Sequence, residues 1–110
     1  DVHQGNGTAS ILQEEPNIFT FSMHGGNNYT MVKEQSDLDI ALPDKCSDAL
    51  YHQLLDEHFY SAIEKSEPDF LFFQSGVDIL ASDKLGKLGL SPSGCKARDE
   101  KIIQWSHRHK

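Results

Sequence analysis

Basic residues are scarce in this sequence, and that scarcity excludes a common class of partner. Ten Lys and Arg stand against seventeen Asp and Glu, a formal net charge of −7. Such a balance lacks the counter-charge that draws a protein to nucleic acid or to an anionic bilayer. Long apolar runs are missing as well. Nothing approaches the roughly 20 consecutive apolar residues of a membrane helix, and no stretch reads as a secretion signal, so a cytoplasmic protein is expected. Cysteine is nearly absent. Cys46 and Cys95 lie far apart with no C-x-x-C spacing. Free, buried thiols in a reducing compartment are expected, with a disulfide as the alternative the count allows. Asn6-Gly7-Thr8 and Asn28-Tyr29-Thr30 match the glycosylation sequon, which carries no meaning without secretion. There is no internal repeat and no low-complexity tract. What remains is 110 residues, 37% hydrophobic, with a mean hydropathy of −0.52. That is enough for one domain with a modest core.

The apolar spacing predicts an order of strand, strand, helix, strand, helix. Residues 18–23 alternate Phe19 and Phe21 with Thr20 and Ser22, the period of a strand, and stop at Gly25-Gly26-Asn27-Asn28. Leu38, Ile40 and Leu42 share one face of a second strand that ends at Pro43-Asp44. From Ser47, a good N-cap, Leu50, Leu54, His58 and Ala62 recur at helical spacing beside Tyr51, Leu55, Phe59 and Ile63, until Pro68 forbids continuation. Phe70-Leu71-Phe72-Phe73 is apolar without alternation, which predicts a central parallel strand covered on both faces. It breaks at Gly76 and delivers Asp78 just beyond its end. The last helix starts at Ser91-Pro92, with Gly94 weakening its first turn, and carries Ile102, Ile103 and Trp105 into a basic tail. This is a piece of an α/β layered fold. A doubly covered strand needs more strands and helices than these residues supply.

The chemistry concentrates at strand ends. In an extended Asp1-Val2-His3 the two polar side chains fall on the same side. Asp78 arrives from another strand end, where open α/β sheets hold their sites. One His and two carboxylates form a three-ligand set that leaves a position for water, the requirement of a catalytic zinc. A solvated Asp beside an ordinary loop His is the alternative.

The segments DVHQGNGT, FSMH, QSGVDIL with SDKLGKLGLS, and GCKARDE resemble, in order, successive motifs of the histone deacetylase family, closest to its class IV and bacterial acetoin-utilisation-type members. The resemblance runs over essentially the whole of residues 1–110 and implies the arginase–deacetylase α/β fold, a mostly parallel sheet between helices, here as a partial domain. It implies Asp1, His3 and Asp78 as zinc ligands. Asn6 matches the position that orients one histidine of a catalytic pair. Ser22 resembles the hydroxyl ligand of a structural potassium ion, shared with backbone carbonyls of Asp1, His3 and Met23. Gly76 resembles the small residue before the zinc ligand, and Tyr29 the aromatic lining the acyl-lysine tunnel, although Thr30 replaces the usual Pro.

By the same resemblance a histidine pair acting as base and acid, and a further Asp, belong upstream, and an oxyanion-steadying Tyr downstream, so the chain reads as an internal segment. His107-Arg108-His109 reads as a solvated tail. His24 and His52 read as loop or helix-surface residues, His58 as a satisfied core histidine, and Asp83 as a residue that fixes its own loop. The implied activity is zinc-assisted amide hydrolysis of acetyl-lysine, a polyamine or another acyl amine. A non-catalytic remnant or binding module that keeps the scaffold is the alternative. Oligomeric state is left open. Arginases extend Asp-x-His to Asp-x-His-x-Asp to hold a second metal, and Gly5 occupies that fifth position. A Gly5→Asp protein is therefore expected to bind no second manganese ion; two ions per chain by metal analysis would contradict this.

Overall fold

The computed structural model describes residues 1–109. Its elements are α1 (Asn6–Leu12), β1 (Phe21–Gly25), β2 (Leu38–Leu42), α2 (Asp48–Ser66) and α3 (Pro92–Arg108). β1 and β2 pair in parallel, from Phe21 opposite Leu38 to Gly25 opposite Leu42. β1 starts later than the alternation predicts and runs on through His24. The face of β2 is as expected: Leu38 and Ile40 are half-buried and Leu42 is buried.

α2 obeys local rules closely. The Ser47 hydroxyl accepts from the Leu50 amide at 3.3 Å, satisfying one orphan donor of the first turn. The buried stripe is Tyr51, Leu55, Phe59 and Ala62, flanked by Leu50, Leu54 and Ile63. His58 lies on the half-buried margin rather than in the core. Glu67 closes the helix with a left-handed φ of 44° and donates its amide to the Ile63 carbonyl at 2.8 Å, ahead of Pro68.

α3 is capped by the Ser91 hydroxyl, which accepts from the Gly94 amide at 3.0 Å. Gly94 has a role that composition hides. A Cβ there would collide with the Asp48 carboxylate. That carboxylate accepts from the Ser91 amide at 2.9 Å and the Ser91 hydroxyl at 2.5 Å, so the starts of α2 and α3 are clamped together. The Ser91 hydroxyl holds the Asp48 carboxyl below its usual range. The clamp is therefore in force at neutral pH and lost as pH falls through that lowered value. Further along, Phe59 and Trp105 meet edge to face at 5.6 Å.

Two expectations need correction. The expected order has no helix before the first strand, yet Asn6–Leu12 forms α1; Gly5 and Gly7 mask a helix of only 7 residues. The expected third strand at Phe70–Phe73 does not form. A strand exists only with a hydrogen-bonded neighbour, and among the described residues this segment has none. It is also covered on one side only. Leu71 packs on the core and the Arg98 guanidinium sits over the Phe73 ring. Phe70 and Phe72 are 76% and 90% exposed and touch each other.

The core gathers Val2, Leu42, Leu55, Phe59, Ile79 and Leu90 between the parallel pair and the two long helices, an α/β arrangement. Among the described residues no helix is long and apolar enough to cross a membrane. Burial separates the effects of two large-to-small substitutions. Leu55, 4% exposed, should cost about 2–5 kcal/mol as Leu55→Ala in urea unfolding. Phe72→Ser should change stability by no more than about 0.5 kcal/mol, while lowering light scattering of the isolated chain by shrinking an apolar patch.

Candidate metal centre

The site begins with Val2, which is fully buried and uses both of its backbone groups. Its carbonyl accepts from the Gly25 amide at 2.8 Å, tying it to the end of β1. Its amide donates to Asp78 Oδ1 at 2.7 Å. With Val2 pinned inward, Asp1 and His3 emerge on a common side. The His3 amide donates to Asp1 Oδ1 at 2.7 Å. His3 Nδ1 lies 3.2 Å from Asp1 Oδ1 and 3.1 Å from Asp78 Oδ2. One ligand atom from each of Asp1, His3 and Asp78 lies within 4.8 Å of the others. No other such cluster of three occurs among the described residues.

This donor set fits a zinc ion. At metal–ligand distances of about 2.0–2.2 Å, tetrahedral geometry separates ligand atoms by roughly 3.3–3.5 Å, close to the two spacings around His3 Nδ1. Two carboxylates held side by side repel, and a cation between them removes the repulsion. Three protein ligands leave one position open. The cluster is also reachable: the side chains of His3, Asp1 and Asp78 are 40%, 29% and 24% exposed.

The surroundings hold this geometry from several sides. A Cβ on Gly76 would lie 2.6 Å from Asp1 Cα and 2.8 Å from Asp1 Cβ, so the absence of a side chain lets the two backbones touch. Asp83 Oδ2 accepts from the amides of Leu85 and Gly86 at 2.9 and 2.6 Å. It fixes its loop as expected, and those amides hold its carboxyl below the usual range. Asn28 is buried and donates to the Leu85 carbonyl at 2.9 Å, so this sequon is closed to a glycan in the folded chain.

The remaining site candidates fall as follows. Ser22, on β1, accepts from the Gly5 amide at 3.4 Å and meets His24 Nδ1 at 3.0 Å. Burial lowers the pKa of His24, which favours its neutral ring. Met23 is half-buried against the core. Asn6 opens α1 and is half-buried. Tyr29 is 73% exposed and does not line the groove that runs past Asp1 and His3 between β1, α2 and residues 68–74. Other histidines are engaged elsewhere: His52 Nε2 with the Gly94 carbonyl at 2.9 Å and His109 Nδ1 with the Trp105 carbonyl at 2.8 Å. Cys46 and Cys95 are free and buried.

Sequence reasoning missed two supports. Gln4 is buried, donating to the Glu34 carbonyl at 2.8 Å and Asp39 Oδ1 at 3.0 Å while accepting from the Glu34 amide at 2.9 Å. Arg98 is 2% exposed. The signal for Arg98 was its phase: it shares the inner face of α3 with Cys95 and Ile102, where a lone surface Arg has no reason to be.

Comparison with known proteins gives a consistent picture. A family model described as histone deacetylase domain matches residues 1–110. An uncharacterised protein of Picosynechococcus is 42% identical over 94% of this chain, which spans 34% of that protein. Histone deacetylase 2 of Arabidopsis thaliana is 28% identical over 96% of this chain, which spans 28% of it. In solved structures, acetylpolyamine aminohydrolase from Burkholderia pseudomallei superposes with a TM-score of 0.82 over 93% of this chain and 33% of its own, at 20% identity. The chain thus covers about a third of the length of its relatives, and its fold is that part of the arginase–deacetylase architecture.

The Gly76 contact is open to test. Gly76→Ala should weaken zinc binding at least tenfold in a chelator competition, because Asp1 must move. Gly5→Ala should leave binding unchanged, since a Cβ there meets nothing within 4 Å.

Proposed function

The chain belongs to the histone deacetylase domain family, and from that premise we propose that it is the metal-holding segment of a zinc-dependent deacetylase catalytic domain. The observation that carries the reading is the convergence of Asp1, His3 and Asp78 within 4.8 Å. Those three residues would hold the zinc, which when bound polarises an acyl carbonyl and acidifies a coordinated water. Asp1 and Asp78 supply the negative charge that retains a divalent cation. His3 supplies an imidazole nitrogen, kept beside the carboxylates by its amide, which donates to Asp1 Oδ1. Gly76 keeps the wall beside Asp1 thin. Asp83 and Asn28 keep the loop after Asp78 from drifting.

The substrate is an acetylated lysine or a related acylated amine. A general base is required to take the proton of the attacking water, a contribution of about 10²–10⁴-fold. His24, His52 and His109 have other partners, and the family resemblance puts the base in a histidine pair outside residues 1–110, with Asn6 orienting it. The resemblance puts Gly76 and Tyr29 on the substrate side; Tyr29, exposed and outside the groove past Asp1 and His3, adds no geometric support to its part. A potassium ion on Ser22, with the carbonyls of Asp1, His3 and Met23, is its structural companion. The Ser22 hydroxyl oxygen, 3.0 Å from His24 Nδ1, is the side-chain oxygen it would use. The free thiols support a reducing, cytoplasmic setting.

The test uses the full-length protein. It should release acetate from an acetyl-lysine peptide or an acetylated polyamine, lose that activity to a chelator and regain it with zinc. His3→Ala should abolish it. Residues 1–110 alone with zinc should show negligible turnover. Zinc binding without turnover on any acyl amine would mean a non-catalytic scaffold; robust turnover by residues 1–110 would place the base among them.

A further inference from the structure

Arg98 is a guanidinium buried on the inner face of α3, 2% exposed. Burying a charge is costly unless it is paired and its donors are used. Here they are spent in one direction. Nη1 donates to the Gly76 carbonyl at 2.8 Å. Nη2 donates to Ser75 Oγ at 3.0 Å. Nε and Nη2 both close on Asp99 Oδ1 at 2.8 Å. The Ser75 hydroxyl donates to the same Asp99 oxygen at 2.8 Å, so Arg98, Asp99 and Ser75 form a closed ring around the Ser75–Gly76 peptide. The Phe73 ring covers the guanidinium at 5.6 Å.

That peptide is the hinge point of the metal cluster. Gly76 presses on the Asp1 backbone, since a Cβ would fall 2.6 Å from Asp1 Cα. Two residues further on is Asp78, which receives the Val2 amide at 2.7 Å. A shift of the Gly76 carbonyl therefore moves both carboxylates, and moves them relative to His3. An anchor needed only to dock α3 could use Ile102 and Cys95, which are already buried beside it. A planar fork aimed at one carbonyl and one hydroxyl fixes orientation as well as distance.

We infer that Arg98 is a positioning residue for the Asp1–His3–Asp78 cluster, holding the Ser75–Gly76 peptide so that the two carboxylates keep the spacing of ligands to one ion. It touches neither metal nor substrate and acts through Gly76. The inference rests on the zinc reading of the cluster.

The experiment takes the full-length protein as wild type, Arg98→Met, Arg98→Lys, Ser75→Ala, His3→Ala and Leu55→Ala. Zinc affinity is measured by chelator competition, and the visible absorption of the cobalt-substituted protein is recorded, with thermal unfolding of each variant. Partners that orient metal ligands typically account for 10–100-fold in affinity. Arg98→Met should lose affinity in that range and change the cobalt spectrum. Arg98→Lys, which can reach the Gly76 carbonyl but not fork, should recover part of both. Ser75→Ala, an exposed change, should give a smaller shift in the same direction. Leu55→Ala should be destabilised yet bind zinc within about twofold of wild type with an unaltered spectrum. If Arg98→Met fails to fold, Arg98→Lys and Ser75→Ala carry the test. Wild-type affinity and spectrum in the foldable Arg98 and Ser75 variants, with His3→Ala deficient, would overturn the inference and leave the ligand reading standing. Wild-type affinity in His3→Ala would overturn the ligand reading itself, and with it the role of Arg98.

Discussion

The Val2 amide donates to Asp78 across a sequence separation of 76 residues, and the cluster is built around that bond. Each ligand-bearing stretch has a fully buried apolar neighbour, Val2 between Asp1 and His3, and Ile79 after Asp78. The buried residue fixes the backbone; the polar residue beside it then has little freedom in where it points. Two carboxylates brought together in this way repel, and nothing local to either segment would hold them. What holds them is the contact of Gly76 with Asp1 on one side and the Asp83 loop on the other, both supported by the core. The same core seats α2 and α3, so packing far from the cluster supplies the free energy that keeps like charges adjacent.

The legible parts of the chain are those governed by rules spanning a few residues. Ser47 and Ser91 cap their helices, Pro68 follows the end of α2, and the face of β2 is right, because caps and periodicity are local. The cluster itself was legible through Asp-x-His on one extended segment and an Asp beyond a strand-like run. The Phe70–Phe73 segment was misread for a physical reason: an apolar run records what a segment would bury, whereas a strand requires a neighbour to bond. α1 was hidden by two glycines in and before a helix of about two turns. Gly94 looked like a flaw in α3 because the Asp48 carboxylate that fills its space comes from 46 positions away in the chain. Arg98 was passed over because its importance lies in the carbonyl it reaches, which the sequence does not mark.

The family likeness and the geometry support each other without overlapping. The likeness covers the length of the chain but only about a third of its relatives, and says nothing about whether side chains meet. The geometry brings three ligand types together and does not identify the molecule they act on. Where the likeness suggested Tyr29 as a tunnel wall, the exposed position of that residue lends no geometric support.

The separation of Val2 from Asp78 also sets an order of events. Closing a loop of that length costs roughly (3/2)RT ln n, about 4 kcal/mol, before any contact at its ends can repay it. The turns of α2 and its pairing with α3 close over shorter spans and can form first. The three ligands therefore come within reach of one another only after most of the core has condensed. In an unfolded or half-folded chain Asp1 and His3 are near each other and Asp78 is far from both. On the zinc reading, an ion held by all three would bind the folded chain alone and add its binding energy to the native state.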